Sequence, residues 1–360
     1  MNINDKVLRA GEKATYKLRD LYEGFGYTQY KMSKFEEYDL YVRNKSFLVS
    51  DHIITFTDTD GKLMALKPDV TLSIVKNSKE KESGVRKVYY NENVYRVPRG
   101  AISFKEIMQT GLECIGEIDG YCMLEVLSLA AKSLELISPD YILDVSHMGI
   151  ISSVVDDMGL SASGRQKIFT CIGEKNIHEI DAICASEGKS EKAANTVKKL
   201  ISLKGGCPEM LEILKGSDCI DEARQLADII GLVSENTGGK VRLDFSVTDD
   251  SSYYSGIVFK GFINSIPTAV LSGGRYDNLM KKLGKDAGAI GFAVYLDFID
   301  GLEDDSDEYD TDVVVVYSDN VSAAKLFTLV NEIRESGERV TVRKTMPTRL
   351  KYKKLIEIDK

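Results

Sequence analysis

Histidine occurs three times in these 360 residues, at 52, 147 and 178, and no two of the six cysteines form a C-x-x-C pair. Those shortages leave no spacing for a metal centre built from thiolates and imidazoles. The cysteines, at 114, 122, 171, 184, 207 and 219, are expected to be reduced thiols. No serine or cysteine stands in a nucleophile elbow, and each histidine lacks a local partner that would make it a general base. No apolar run approaches the roughly 20 residues of a membrane helix. The N-terminus, MNINDKVLRAGEKATYKLRDLYEGFGY, is charged and amphipathic, unlike a signal peptide. Basic charge is also short: the formal net charge is −9, which counts against a large nucleic-acid footprint. GGRYDNLMKKLGKD has Leu279 where a phosphate-binding loop needs its first glycine, and the glycines near 284–291 make no dinucleotide fingerprint. With 43% hydrophobic and 29% charged residues, the composition is that of a soluble globular protein, expected in the cytoplasm.

What is present is a segmented pattern. Apolar Val7, Leu8, Ala14, Leu18 and Leu21 predict a helix from Lys6 to about Tyr22, stopped by Gly24 and Gly26. Short strand-like runs follow at 47–50, 53–58 and within 61–76, where Asp69 and Thr71 can cap a helix. Residues 85–97 and 108–117 form a hairpin pattern, followed by a helix over 124–137 and a strand over 141–147. From 152 to 236 amphipathic helices replace strands, with one predicted to stop at Gly205-Gly206 and another at Gly231. Strands return at 240–247, 256–263, 268–277 and 289–297, and their alternation marks an antiparallel sheet. LEDDSDEYD (302–310) reads as a solvated linker, and the remainder as a small α/β unit in abbreviated form. The expected divisions are a core in two parts (1–151 and 237–301), a helical insertion (152–236) and the C-terminal unit (311–360).

Four short motifs hold chemistry. LKPDVT (66–71) offers a carboxylate and a hydroxyl at a turn, NVYR (93–96) an arginine on a strand, QTGLE (109–113) an amide and a carboxylate at i and i+4. YYSGIVF and GGRYD add tyrosines beside glycines. Taken singly, Asp69 reads as a helix cap, Arg96 as a surface residue, Gln109 and Glu113 as decoration of a sheet face, and the tyrosines as cross-strand packing. Together they suit an amino acid, with carboxylates for its ammonium, Arg96 for its carboxylate, and amide and phenol groups for a polar side chain.

In order and approximate spacing, LKPDVT, NVYRVPRG, QTGLECIG, DFSVTDDSSYYSGIVF and LSGGRYDNLMKKLG…GAIGFAVYLD resemble the core motifs of the histidyl-tRNA synthetase family, over roughly residues 5–300. They equally resemble its non-synthetase relatives, the regulatory subunits of ATP phosphoribosyltransferase. The resemblance implies an α+β fold: a class II synthetase-like antiparallel sheet flanked by helices, with a helical insertion and a short C-terminal α/β unit. It implies that Asp69, Thr71, Arg96, Gln109, Glu113, Tyr254 and Tyr276 hold L-histidine, with no catalytic residue, metal or cofactor.

Departures from the synthetase pattern fall on the ATP contacts. Where the synthetase has the arginine of R-G-L-D-Y-Y this chain has Asp249, an anion that would repel phosphates. Pro98 replaces a glutamate expected to meet adenine, and Phe298, in LDFI, an arginine expected near LERL. A synthetase also carries an anticodon-binding domain after this core, whereas only about fifty residues follow the acidic segment, fewer than an ordinary domain. The reading is a histidine-sensing subunit that partners the short form of ATP phosphoribosyltransferase and is needed for its activity and its inhibition by histidine. A homodimer through the N-terminal helix region, inside a hetero-oligomer, goes with it, although YKMSKFEEYDLY (30–41) lacks the proline of the first class motif. No membrane is expected as partner, and tRNA is disfavoured. A truncated synthetase that forms histidyl-adenylate and a free-standing histidine-binding paralogue stand as alternatives.

Overall fold

The computed structural model describes residues 8–45, 48, 52–78, 84–97, 102–189, 191–248, 253–299 and 309–359. The chain divides into two compact units, Met1–Leu302 and Glu303–Lys360. Most of the acidic segment, Asp249, Pro98 and most of the strand expected at 47–50 lie outside the described residues.

In the first unit, α1 (Ala10–Gly24) buries Gly11, Ala14, Leu18 and Tyr22, one stripe at helical spacing, and starts later than the sequence pattern suggests. Then come β1 (Thr28–Gln29), β2 (Phe35–Glu37), α2 (Tyr38–Val42), β3 (Thr55–Thr57), β4 (Leu63–Leu66) and α3 (Thr71–Lys76). Two strands of twelve residues each, β5 (Val85–Arg96) and β6 (Lys105–Gly116), pair antiparallel along their whole length. Helix α4 (Gly120–Ile137) is capped by Asp119, whose carboxylate accepts the Cys122 N–H at 2.8 Å, and β7 (Tyr141–His147) follows.

Helices α5 (Met148–Asp156), α6 (Ala162–Gly173), α7 (Ile177–Ser186), α8 (Glu191–Ile201), α9 (Gly206–Ile213) and α10 (Ile220–Thr237) fill the next stretch. Helix α10 does not stop at Gly231. It runs six residues further, to a left-handed Gly238 at φ 63°. A single glycine costs a helix little, so an interior glycine is a weak terminator when both flanks stay amphipathic.

The return to the sheet comprises β8 (Val241–Leu243), β9 (Ile257–Ile263), β10 (Leu271–Arg275), α11 (Asp277–Lys282) and β11 (Gly288–Tyr295). The alternation over 240–247 is strand only at Val241–Leu243. Asp244 ends it, because its carboxylate accepts the Ser246 N–H at 2.9 Å, the Ser246 hydroxyl at 2.7 Å and the Lys175 ammonium at 2.7 Å, turning the chain. Phe245 and Val247 remain buried, so the period of two survives as burial without a ladder.

The large sheet has the order β1-β5-β6-β11-β10-β9-β7-β8. Its six inner strands are antiparallel throughout, and the parallel pairs are the two edges, β1 with β5 and β7 with β8. One face packs under α1 and α4 around Tyr89, Leu112, Phe259 and Phe292, and the helices between β7 and β8 join this same core. A smaller sheet, β2-β4-β3, and α3 belong to a second cluster, with Val88, Tyr90, Val94 and Ile115.

The second unit contains β12 (Thr311–Tyr317), α12 (Ala323–Glu335), β13 (Val340–Arg343) and β14 (Tyr352–Ile358). Its sheet, β13-β12-β14, is parallel and centred on the apolar β12, whose Val313, Val314 and Val315 are fully buried. The last strand was hidden in sequence by three lysines around its start.

Candidate functional site

On β5 and β6 the period of two separates two faces. Tyr89, Leu112 and Cys114 point to the helices, while Tyr90, Glu92, Val94 and Arg96, with Gln109, Gly111, Glu113 and Ile115, share the other side. On that side α3 begins. Asp69 accepts the Leu72 N–H at 2.8 Å, holding the first turn, and Thr71 opens the helix beside the sheet.

Glu113 is the centre of the group. It is 2% exposed and receives hydrogen bonds from the Thr71 hydroxyl at 2.9 Å and the Tyr276 hydroxyl at 2.5 Å. Gly291, directly across the ladder, makes room for it: a Cβ there would stand 1.8 Å from Glu113 Oε2. Gly111 does the same for Tyr90, whose hydroxyl would meet a Cβ at 2.6 Å. Burial pushes the Glu113 carboxyl up to about 8 against the two hydrogen bonds that lower it, and nearby Asp69 adds to the rise. Burial likewise raises Asp69, opposed by its bond from Leu72 and by Arg96. The phenols of Tyr276, Tyr90 and Tyr253 are all held well above the usual range by burial, with Glu113 or Asp69 pressing the same way.

Arg96 and Gln109 lie further along this face. Both are buried, and Tyr295 links them: it is the cross-strand partner of Gln109, and the Arg96 guanidinium lies 5.9 Å from its ring centre. Gln109 and Glu113 are therefore buried on this face of the sheet. Tyr254 packs its ring where a Cβ on Gly274 would be 2.6 Å away, and meets Tyr253 edge-on at 4.6 Å. The structure thus ties Thr71, Glu113 and Tyr276 by hydrogen bonds, keeps Asp69 near enough to act on both Glu113 and Arg96, sets Arg96 and Gln109 beside Tyr295, and packs Tyr254 against Gly274.

Tyr253, Tyr90 and Lys67 were not singled out in sequence. Tyr253, and not Tyr254, stands against Tyr276, with ring centres 5.8 Å apart, and its hydroxyl is paired with Thr71. Alternation from Arg96 back to Tyr90 was the available signal for the second. Lys67 is fully buried and ion-paired with Glu92, which faces Gln109 across the ladder.

Buried acid and hydroxyl groups around Glu113, with a guanidinium and an amide beside Tyr295, fit a small zwitterion with a polar side chain. Phe298, where the synthetase pattern expects a cation, lies in a single 3-10 turn after β11, 41% exposed with its ring against Tyr295. Among the described residues no group of three or more His, Cys, Asp or Glu could hold a metal ion, and no helix is long and apolar enough to cross a membrane.

Comparison with known proteins adds a pedigree. Residues 3–299 match the sequence model of histidyl-tRNA synthetase. The chain is 28% identical over 341 residues to the ATP phosphoribosyltransferase regulatory subunit of Clostridium kluyveri, covering 89% of this chain and 85% of that one. The crystal structure of an ATP phosphoribosyltransferase regulatory subunit/histidyl-tRNA synthetase from Bacillus halodurans superposes with a TM-score of 0.76 at 22% identity, over 98% of this chain and 94% of that one. A chain of the ATP phosphoribosyl transferase (HisG:HisZ) complex from Thermotoga maritima gives a TM-score of 0.64 at 18% identity, over 82% and 98%.

Proposed function

The chain belongs to the histidyl-tRNA synthetase family, and from that premise we propose that it serves as a regulatory subunit of ATP phosphoribosyltransferase, with L-histidine as the ligand of the Glu113 pocket. It is a non-catalytic subunit in the first step of histidine biosynthesis, and its partner is the catalytic subunit of the transferase. The observation that carries the ligand half is the pair of hydrogen bonds holding a buried carboxyl between Thr71 and Tyr276. A carboxyl so oriented, and so easily protonated, suits an imidazole with which it can share a proton. Asp69 would then take the ammonium, Arg96 the carboxylate, and Tyr254 would close the wall.

Adenylate formation is not supported. The residues at 249, 98 and 298 replace three groups that the synthetase pattern uses on ATP, and the first replaces a cation by an anion, worth roughly 3 kcal/mol or more of lost transition-state stabilisation. A homodimer within a hetero-oligomer goes with the proposal. Support for it comes from the small sheet, where exposed Phe35 and Phe56 meet edge-on at 5.4 Å. Coupling of ~1–3 kcal/mol between histidine and the assembly would suffice for feedback.

The test is calorimetric titration with L-histidine, with and without Mg-ATP, followed by reconstitution with a short-form transferase. Heat from histidine and none from ATP, with histidine lowering transferase turnover, is the expected result. ATP–pyrophosphate exchange above background would establish a synthetase instead, and a reconstituted enzyme indifferent to histidine would remove the sensor role.

A further inference from the structure

In the second unit β14 is an edge strand, hydrogen-bonded on one side only, to β12. Its Ile356 and Ile358 pack with Val313, Val315 and the apolar residues of α12. By alternation Lys353, Leu355 and Glu357 share the opposite face, with Leu355 beside Val314 in the ladder.

The parallel ladder fixes which backbone groups are left over. Ser318 N–H bonds to Ile358 C=O, so Ile358, and by alternation Ile356 and Lys354, turn their N–H and C=O groups to β12. Leu355 and Glu357 turn theirs outward. Among the described residues neither makes a loop, cap or side-chain hydrogen bond. An open edge of this kind is a template for a further strand.

Charge along the edge decides which strand fits. Alternate positions read Lys351, Lys353, Leu355, Glu357 and Asp359, cations on one side of a leucine and carboxylates on the other. Within one copy the two ends cannot meet, because Lys353 and Glu357 stand about 13 Å apart along the strand at ~3.3 Å per residue. Lys353 shares Asp312 with Arg339, at 2.9 and 3.3 Å, so that carboxylate already serves two cations. Glu357 is exposed and, among the described residues, holds no ion pair. A second copy turned antiparallel about Leu355 sets each Lys353 opposite Glu357 and each Lys351 opposite Asp359. The same register puts outward-facing Leu355 opposite Leu355, as the main-chain bonds of an antiparallel pair require. Parallel pairing in register sets lysine against lysine, which is unfavourable.

We propose that β14 pairs with β14 of a second copy of this chain, antiparallel and centred on Leu355, joining the two small sheets into one. The interface is isologous, each contact occurring twice about a two-fold axis. Main-chain hydrogen bonds give it affinity, and the lysine–carboxylate pairs fix its register. On the other face Tyr352 falls opposite Ile358 of the second copy, an aromatic against a β-branched side chain. This surface rests on neither the histidine pocket nor the sheet of β2, β3 and β4.

The probe is the full chain carrying Leu355→Cys with Cys207→Ser, since the other five native cysteines are buried. At a hydrogen-bonded antiparallel pair the Cα atoms stand about 5.5 Å apart, within disulfide reach. Mild oxidation is expected to give a covalent dimer on a denaturing gel, reversed by reductant. Adding Glu357→Lys or Lys353→Glu sets like charges opposite each other and is expected to slow crosslinking about tenfold. An equimolar mixture of those two variants is expected to restore it, because each then meets its complement. Sedimentation of the same charge variants with Leu355 intact needs no cysteine: each alone should lose mass relative to the unmodified chain, and the mixture should regain it. If Leu355→Cys loses the native circular dichroism, the sedimentation result decides alone. A natively folded Leu355→Cys chain that stays uncrosslinked overturns the proposal, as does crosslinking indifferent to the charge reversals, or a mixture that assembles no better than its components by either readout.

Discussion

Glu113 gives histidine affinity a pH profile that can be worked out in advance. Its carboxyl titrates at about 8 in the empty pocket, and an imidazole at about 6.5. At neutral pH the carboxyl is protonated and the imidazole is not, and the complex holds one proton between them. Binding then takes up no proton and releases none. Above about 8 the carboxyl has ionised, each complex must recruit a proton, and affinity falls about tenfold per pH unit. Below about 6.5 the imidazolium must shed one, and affinity falls with the same slope. Glu113→Gln keeps the shape of the site, with one of the two hydroxyls turned to accept from the amide nitrogen, but has nothing to titrate. The assay is calorimetric affinity of both proteins from about pH 6 to 9.5, read as a ratio so that the ligand's own ammonium cancels. The ratio of wild-type to variant affinity should stay level to about pH 8 and then drop about tenfold per unit. A level ratio across the whole range refutes the shared proton, and with it the assignment of the imidazole to Glu113.

The same carboxyl shapes stability. Its value is raised from an ordinary 4.5 to about 8, so its contribution is complete below 4.5 and is lost as pH rises through about 8, at up to ~1.4 kcal/mol per unit. Thermal melts of wild type and Glu113→Gln should converge in acid and separate in alkali, with the variant the more stable at pH ~8.5. Tyr276→Phe removes a bond that favours the ionised form; the alkaline break in histidine affinity should move to higher pH, and an unmoved break would mean the hydroxyl does not govern it. Gly291→Ala would place a methyl carbon 1.8 Å from Glu113 Oε2 and 2.4 Å from the Leu112 carbonyl. It should cost about 1–3 kcal/mol by chemical denaturation and abolish histidine binding. Gly231→Ala, with open space around its methyl group, should stabilise by ~0.5–1 kcal/mol in the same assay.

How far residues alone could reach depended on whether the signal was local. The hairpin, α4 and the strands β9 to β11 follow from periodicity, since each must bury one face or stripe against the rest. Asp69, Thr71, Glu113 and Tyr276 come from three separate stretches, and their hydrogen bonding needs β11 to lie between β6 and β10, which no local pattern states. The adjacent tyrosines show the limit most sharply: both are aromatic residues before a strand, and only the turn at 253 decides that Tyr253 meets Thr71 and Tyr276 while Tyr254 covers Gly274. Glycine gave the opposite error. At 231 it carried the mark of a helix stop, but a terminator must leave the next turn without a buried face, and Val233 and Thr237 continue the buried stripe of α10 beyond it.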